Sequence, residues 1–64
     1  MQPHQQRVFD EANELKEKLD KLISFIDGNE VFKGLNAAQQ LTLKAQAAAM
    51  GAYYGILELR IAEF

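Results

Sequence analysis

Apolar residues in the first half of the chain recur at the spacing of one helix face. They are separated alternately by four and three positions, which is the pattern of a heptad seam. The seam consists of Val8, Ala12, Leu15, Leu19, Leu22 and Ile26. Pro3 suits the first turn of such a helix, where its missing N–H has no partner in any case. Gly28 is expected to end it in the left-handed conformation, so the pattern predicts a helix over about residues 3–27.

The following residues predict a connector and then a second long helix. The residues expected to close the end of the core, in one short helical turn, are Val31, Phe32 and Leu35. Asn36 and Gln39 stand at the spacing of a capping box, in which each side chain meets the other residue's backbone N–H. The second helix is therefore expected over about residues 37–63. Two long helices joined by a short connection predict an all-α fold, an antiparallel helical hairpin.

The second helix differs from the first in being apolar on nearly every side. Between Asn36 and Glu58 the only charged residue is Lys44. A helix that is apolar all round is buried on more than one side, and the first helix can cover only one of them. The same face of a second copy is the simplest cover for the other. The expected oligomer interface is a strip of small residues, Ala45, Ala48, Ala52 and Gly55.

Two further observations favour a homo-oligomeric helix bundle built from one domain spanning residues 1–64. A glycine inside a helix costs about 1 kcal/mol relative to alanine, so Gly51 and Gly55 call for the close approach of another backbone or a ligand. The alternative is that both are tolerated surface positions. In addition, a chain of 64 residues without cysteine has a small core and no disulfides, and oligomerisation is the remaining way to stabilise it.

Composition excludes several classes of function. With no cysteine and one histidine, one serine (Ser24) and one threonine (Thr42), the chain lacks a nucleophile–base set. We therefore expect no enzyme activity, metal or cofactor. The net charge of −2 argues against nucleic acid as a partner. No signal peptide is recognisable, and the longest uncharged stretch is too short to span a membrane, so a soluble, cytoplasmic protein with no membrane partner is expected.

Candidate binding chemistry collects at the open end of the predicted hairpin. If the chain turns near residue 32, His4 lies near Arg60 and Arg7 lies near Leu57, so that both arginines of the protein meet. Arginine binds phosphate bidentately and stacks on planar groups, and tyrosine offers a flat face to a base. This combination suggests an anionic, partly aromatic ligand such as a nucleotide. The candidate ligand-binding residues are His4, Gln5, Gln6, Arg7, Tyr53, Arg60 and Phe64.

A purely structural interpretation of the same residues stays open. Arg60 lies near a helix C-terminus, where a solvated cation is favoured, and Arg7 has acidic neighbours within about one turn. Tyr53 and Phe64 have the spacing of core residues. The sequence also leaves open whether Tyr53 or Tyr54 faces a ligand.

The most specific patterns lie at the two ends of the chain. They are the box Pro3-His4-Gln5-Gln6-Arg7-Val8 and the segment Ile56-Leu57-x-x-Arg60-Ile61-x-x-Phe64. With these patterns the chain resembles very short helical-hairpin proteins of phages and prophages, and it is similar to the Sequestin type of nucleotide immune-signal sponge. The resemblance covers most of the chain. It is weakest over residues 47–52, where alanine and glycine stand in place of more charged residues.

This resemblance implies a function for the candidate residues. A protein of this type would oligomerise and hold a nucleotide signalling molecule, a cyclic ADP-ribose isomer made by a bacterial TIR-domain enzyme, without cleaving it. It would act as an anti-defence protein in the cytoplasm of the infected bacterial host. The competing hypothesis is a small helical interaction protein that blocks a host or phage protein through the alanine-rich face and binds no small molecule.

Overall fold

Two long helices joined by one short helix make up the protein. In the computed structural model, which describes residues 1–64, α1 spans Pro3–Gly28, α2 spans Glu30–Lys33 and α3 spans Ala37–Ala62. The long helices α1 and α3 pack side by side as an antiparallel hairpin 46 Å long. The predicted all-α hairpin is confirmed, and the predicted helix ends differ from the observed ones by at most one residue.

Local hydrogen bonds explain where the helices begin. Pro3 opens α1 at its first position, as predicted. The predicted capping box at α3 is also present. The Gln39 backbone N–H donates to Asn36 Oδ1 at 2.8 Å, and the Asn36 backbone N–H donates to Gln39 Oε1 at 3.2 Å. These bonds satisfy N–H groups that have no carbonyl partner within the helix.

The prediction that Gly28 adopts the left-handed conformation is wrong. No glycine in the chain has a positive φ angle, and α1 includes Gly28 as its last residue. Asn29 makes the turn instead, with extended backbone at φ −80° and ψ 133°. Its side chain accepts a hydrogen bond from the Val31 N–H at 2.8 Å. One residue thus ends α1 and caps α2, so that no left-handed residue is needed.

The heptad seam of α1 is the side that packs against α3. Val8 and Ala12 are buried together with Leu57 of α3, which is 0% exposed. The rest of the predicted seam is half-buried. On α3 the packed side again follows the alternation of threes and fours. It consists of Leu43, Ala47, Met50, Tyr54, Leu57 and Ile61.

Helix α2 closes the turn end of the hairpin. Phe32 is buried with its ring edge-on to Phe25, at 5.9 Å between centroids. Gln40 Nε2 donates to the Phe32 and Leu35 carbonyls at 3.0 and 3.1 Å and so ties the connector to α3. The expectation that Val31 also closes the core is wrong, because its side chain is 66% exposed. A single short turn presents one side to the hairpin, and Val31 lies about 100° round the axis from Phe32.

The side of α3 opposite α1 remains uncovered and apolar. We call it the outer face of α3, and it consists of Leu41, Ala45, Ala48, Ala52, Ile56 and Leu59, all of them exposed. Gly55 borders it and is half-buried. Only four residues of the chain are buried, so the hairpin leaves much of its apolar surface in solvent. None of the three helices combines the length and apolar character that a membrane span requires.

Candidate ligand-binding site

One hydrogen bond links the two long helices near their open end. The Tyr53 hydroxyl of α3 donates to the Glu11 carboxylate of α1, and no other side-chain hydrogen bond joins these helices. Tyr53 is 44% exposed. The contact therefore marks which residues of α1 and α3 lie at the same level on a solvent-accessible face.

This register places three of the predicted ligand-binding residues towards the open end on one side of the hairpin. His4 lies seven residues before Glu11, and Arg60 lies seven residues after Tyr53. Seven residues are two helical turns, or about 10.5 Å along the axis. Because the helices are antiparallel, both steps run towards the open end, and His4 and Arg60 lie at one level. Arg7, one turn before Glu11, lies on the same side.

We call this side the open-end face. It consists of His4, Arg7, Glu11, Tyr53 and Arg60. Both arginines on it are exposed and have free guanidinium groups. The ion pairs of the protein are Lys16–Asp20 and Lys33–Glu30, so neither arginine lies within 4.0 Å of a carboxylate. Free guanidinium donors on one face are suited to bidentate contact with phosphate oxygens.

The two tyrosines have different roles. Tyr54 is half-buried against the core, with Lys16 Nζ 5.8 Å from the centre of its ring. Tyr53 is therefore the tyrosine of the open-end face. Sequence reasoning did not include Glu11 in the site. The signal that could have found it is the seven-residue offset from His4, which pairs Glu11 with Tyr53 once His4 is paired with Arg60.

Three of the predicted ligand-binding residues have structural partners of their own. Gln5 Oε1 accepts from the Gln2 N–H at 2.9 Å and caps α1. Gln6 Nε2 donates to Asp10 Oδ1 at 3.0 Å, and Gln6 lies about 140° round the helix from Glu11. The ring of Phe64 packs on Phe9, with centroids 5.9 Å apart. The structure does not bring Gln6 to the open-end face, and it gives Gln5 and Phe64 packing or capping contacts.

The concave surfaces of the hairpin lie elsewhere. One groove of about 420 Å³ is lined by Asp20, Lys21, Ser24, Phe25 and Asn29. A second groove of about 380 Å³, which we call the turn-end groove, is lined by Leu35, Ala38, Gln39, Thr42 and Leu43. Neither groove includes a residue of the open-end face. No three His, Asp or Glu side chains converge as a metal site.

The fold and the open-end face define a small helical-hairpin protein whose free cationic and aromatic side chains suit it to bind a ligand. A model of the Sequestin family matches residues 2–63, and the chain belongs to that family. The family name denotes sequestration, so this is a sequestering protein, with a binding role. No curated protein and no solved structure is a match to this chain.

Proposed function

We propose that this protein is a phage-encoded anti-defence sponge, which binds and sequesters a nucleotide immune signal without cleaving it. The ligand class is the cyclic ADP-ribose isomers made by bacterial TIR-domain enzymes, and the site of action is the cytoplasm of the infected host. The observation that carries the proposal is the open-end face, where Arg7 and Arg60 stand free of ion pairs beside an exposed Tyr53. Membership of the Sequestin family supports it.

The chemistry of this face matches the parts of such a ligand. A cyclic ADP-ribose isomer carries two linked phosphates, two riboses and an adenine. The guanidinium groups of Arg7 and Arg60 can each donate two hydrogen bonds to phosphate oxygens. The Tyr53 ring offers a flat surface against which the ligand can pack, and Glu11 can accept hydrogen bonds from ribose hydroxyls. His4 adds a further donor at the level of Arg60.

Retention of the intact ligand is part of the proposal. The single serine, Ser24, and the single threonine, Thr42, both lie towards the turn end of the hairpin. The face itself contains no serine, threonine or cysteine, and the hydroxyl of Tyr53 already donates to Glu11. The proposal therefore includes binding and excludes turnover.

Native mass spectrometry tests the proposal directly. The protein is measured alone and after addition of cyclic ADP-ribose isomers or cyclic dinucleotides. We expect an assembly of several copies that gains the mass of the intact cyclic ADP-ribose isomer. A gain with cyclic dinucleotides alone would assign another ligand class. Fragments of the ligand in the spectrum would show catalysis.

Replacing each arginine tests the site. We expect Arg7→Ala and Arg60→Ala each to weaken binding by about 10- to 100-fold, because hydrogen bonds to charged groups contribute about 1.5–3 kcal/mol. Lys18→Ala is the matched control, since it also removes one exposed positive charge from α1 and forms no ion pair. Helix content should be unchanged in all three variants. If Lys18→Ala weakened ligand binding equally, the effect of the arginine variants would be due to net charge and not to a specific contact.

The second candidate function is a helical interaction protein without a small ligand. The exposed outer face of α3 favours it, because apolar patches on a small protein commonly mark partner sites. This hypothesis predicts tolerance of Arg7→Ala and Arg60→Ala and sensitivity to changes at Ala48, Ala52 or Gly55. Function measured in infected cells with both sets of variants separates the two hypotheses.

A further inference from the structure

The outer face of α3, taken with the bordering Gly55, is symmetric about the level of Met50 except at Ile56, whose counterpart is Lys44. Residues of matching size stand nine, five and two positions on either side of it. From the ends to the centre, the matching pairs are Leu41 with Leu59, Ala45 with Gly55, and Ala48 with Ala52. Large side chains occupy both ends and small ones occupy the centre. This order is the one that lets a helix face pack on an antiparallel copy of itself.

Two copies related by a two-fold axis at the level of Met50 would bring these matching residues together. Each leucine of one copy then meets a leucine of the other, and small residues meet in the middle, where two helices can approach to about 8 Å. Gly55 fits the same arrangement. A Cβ atom added there would meet nothing within 4 Å in the hairpin, so packing inside one chain does not require glycine. The partner's Ala45 would lie opposite it.

Charges at the edge of the outer face select the antiparallel direction. Lys44 and Glu58 lie on the same edge of the outer face, six residues before and eight residues after Met50. In the antiparallel pair, Lys44 lies within about 3 Å, measured along the axis, of the partner's Glu58. A parallel pair would instead place this edge of one copy on the opposite side of the interface from the same edge of the other, so that Lys44 would not meet the partner's Glu58.

The small core makes a second copy the fitting occupant of this face. Four buried residues in a chain of 64 provide little hydrophobic stabilisation, and chains of this size without disulfides commonly rely on oligomerisation. Apart from Ile56, the outer face is self-complementary in size, and the Lys44 and Glu58 pair at its edge is complementary in charge. These are properties that an interface with an unrelated partner does not need.

We propose that two copies pair antiparallel through the outer face of α3, and that the pair completes a nucleotide site between Arg60 of one copy and the turn-end groove of the other. Arg60 lies ten residues after Met50, and the groove residues on α3 are centred about ten residues before it. The two-fold axis therefore brings them to the same level. This second part rests on the proposed function.

The two parts of the site also lie on the same side of the pair. Thr42 and Arg60 are eighteen residues apart, which is five full turns, so both project from one edge of α3. A two-fold axis perpendicular to the helices keeps that edge on one side of the pair. Arg60 of one copy consequently stands beside the partner's Thr42, about one interhelix distance of 8–10 Å away.

The turn-end groove has the chemistry of a base-binding surface. Leu35, Ala38 and Leu43 line it with apolar side chains, and Gln39 and Thr42 add polar ones. Its volume of about 380 Å³ falls within the range of small-molecule sites, which is about 300–1,000 Å³. The open-end face of one hairpin contributes no residue to either groove. Together, the two surfaces offer phosphate donors on one side and an apolar cleft for the base on the other.

Engineered cysteines test the direction of pairing in a chain that has none of its own. Ala45→Cys and Gly55→Cys are oxidised separately and as an equal mixture, and products are identified by mass. We expect the mixed 45–55 disulfide and little of either symmetric one, because identical positions lie about 15 Å apart in the antiparallel pair. Symmetric disulfides from each variant alone, or no disulfide in any sample, would overturn the pairing.

The same disulfide allows a test of the shared site, with Arg60→Ala and Thr42→Trp as the two lesions. One dimer carries the two changes on different chains, and another carries both on one chain. Native mass spectrometry then counts how many molecules of a cyclic ADP-ribose isomer, prepared with a bacterial TIR-domain enzyme, each dimer binds. A site shared between copies predicts one ligand when the lesions are on different chains and none when they share a chain. The parent disulfide-linked dimer should bind two.

Other outcomes would overturn the shared site. One ligand in the dimer that carries both lesions on one chain would place the whole site within a single hairpin. Thr42→Trp without effect in any dimer would remove the groove from the site. If the unmodified protein binds no such nucleotide, the proposed function and the shared site fail together, while the cysteine experiment still decides the pairing.

Discussion

The two long helices have the same length, but their solvent-facing sides differ: that of α1 is charged and that of α3 is apolar. Both α1 and α3 contain 26 residues, and each presents one heptad seam to the other. Away from the seam, α1 carries alternating acidic and basic residues, whereas α3 carries leucine, isoleucine and alanine. A hairpin needs one apolar side per helix. The second apolar side of α3 therefore does not serve the fold of a single chain.

The comparison separates residues that hold the hairpin together from residues free for an external contact. Leu57 is 0% exposed and belongs to the first group, and Leu59, two positions later, is 62% exposed and belongs to the second. Substitutions chosen in matched pairs, one from each group, test whether the two groups differ as described.

The largest effect is expected for Leu57→Ala. Truncating a fully buried leucine costs about 2–5 kcal/mol of stability, and in a hairpin with so small a core this should unfold much of the protein. Leu59→Ala is the control and should change the stability of a dilute sample by less than about 0.5 kcal/mol. Urea unfolding followed by circular dichroism measures both. Equal costs at low protein concentration would show that the two sides of α3 are not distinct.

An intermediate effect is expected for Ala48→Glu, at the centre of the outer face. A carboxylate there must be buried when two copies pair, and we expect association to weaken by at least about 30-fold, or about 2 kcal/mol. Helix content should not change. Asn13→Glu adds the same charge to the outer side of α1 and should leave association unaltered. Sedimentation over a range of concentrations measures the association of both variants. Unchanged association of Ala48→Glu would exclude this face as the interface.

The smallest effect is expected for the two glycines. Added Cβ atoms at Gly51 and Gly55 meet nothing within 4 Å, so alanine at either position should stabilise a single hairpin by up to about 1 kcal/mol. For Gly51→Ala, which lies off the outer face, this gain should persist at every concentration. For Gly55→Ala we expect the gain in dilute samples and weaker association in concentrated ones. Identical behaviour of the two variants would place Gly55 outside the interface.

Features that depend on neighbouring residues could be predicted from the sequence. The seam of α1 follows from spacing alone, and the capping box of Asn36 and Gln39 joins groups three residues apart. Such signals are complete within one or two turns, so they do not require the rest of the fold. The helix ends accordingly agree with prediction to one residue. The interface of Ala45, Ala48, Ala52 and Gly55 stays a prediction.

The candidate site was predictable only in part. Pairing His4 with Arg60 required nothing beyond a turn near residue 32, and the register observed at Tyr53 and Glu11 agrees with it. The partners of Gln5, Gln6 and Phe64 were not foreseen. Each depends on which way a side chain turns from its helix, and several polar or aromatic neighbours were available to each of them.

Sequence by itself determined that this chain forms two long helices, where they begin and end, and that they fold back on each other. Tertiary structure alone decided how α3 is rotated about its own axis. Because α3 is apolar on two opposite sides, either could have faced α1. The larger side chains, Leu43, Met50 and Leu57, fill the space between the helices, and the alanine-rich side is left outside. That rotation turns Tyr53 to solvent and Tyr54 to the core, because adjacent residues on a helix point about 100° apart.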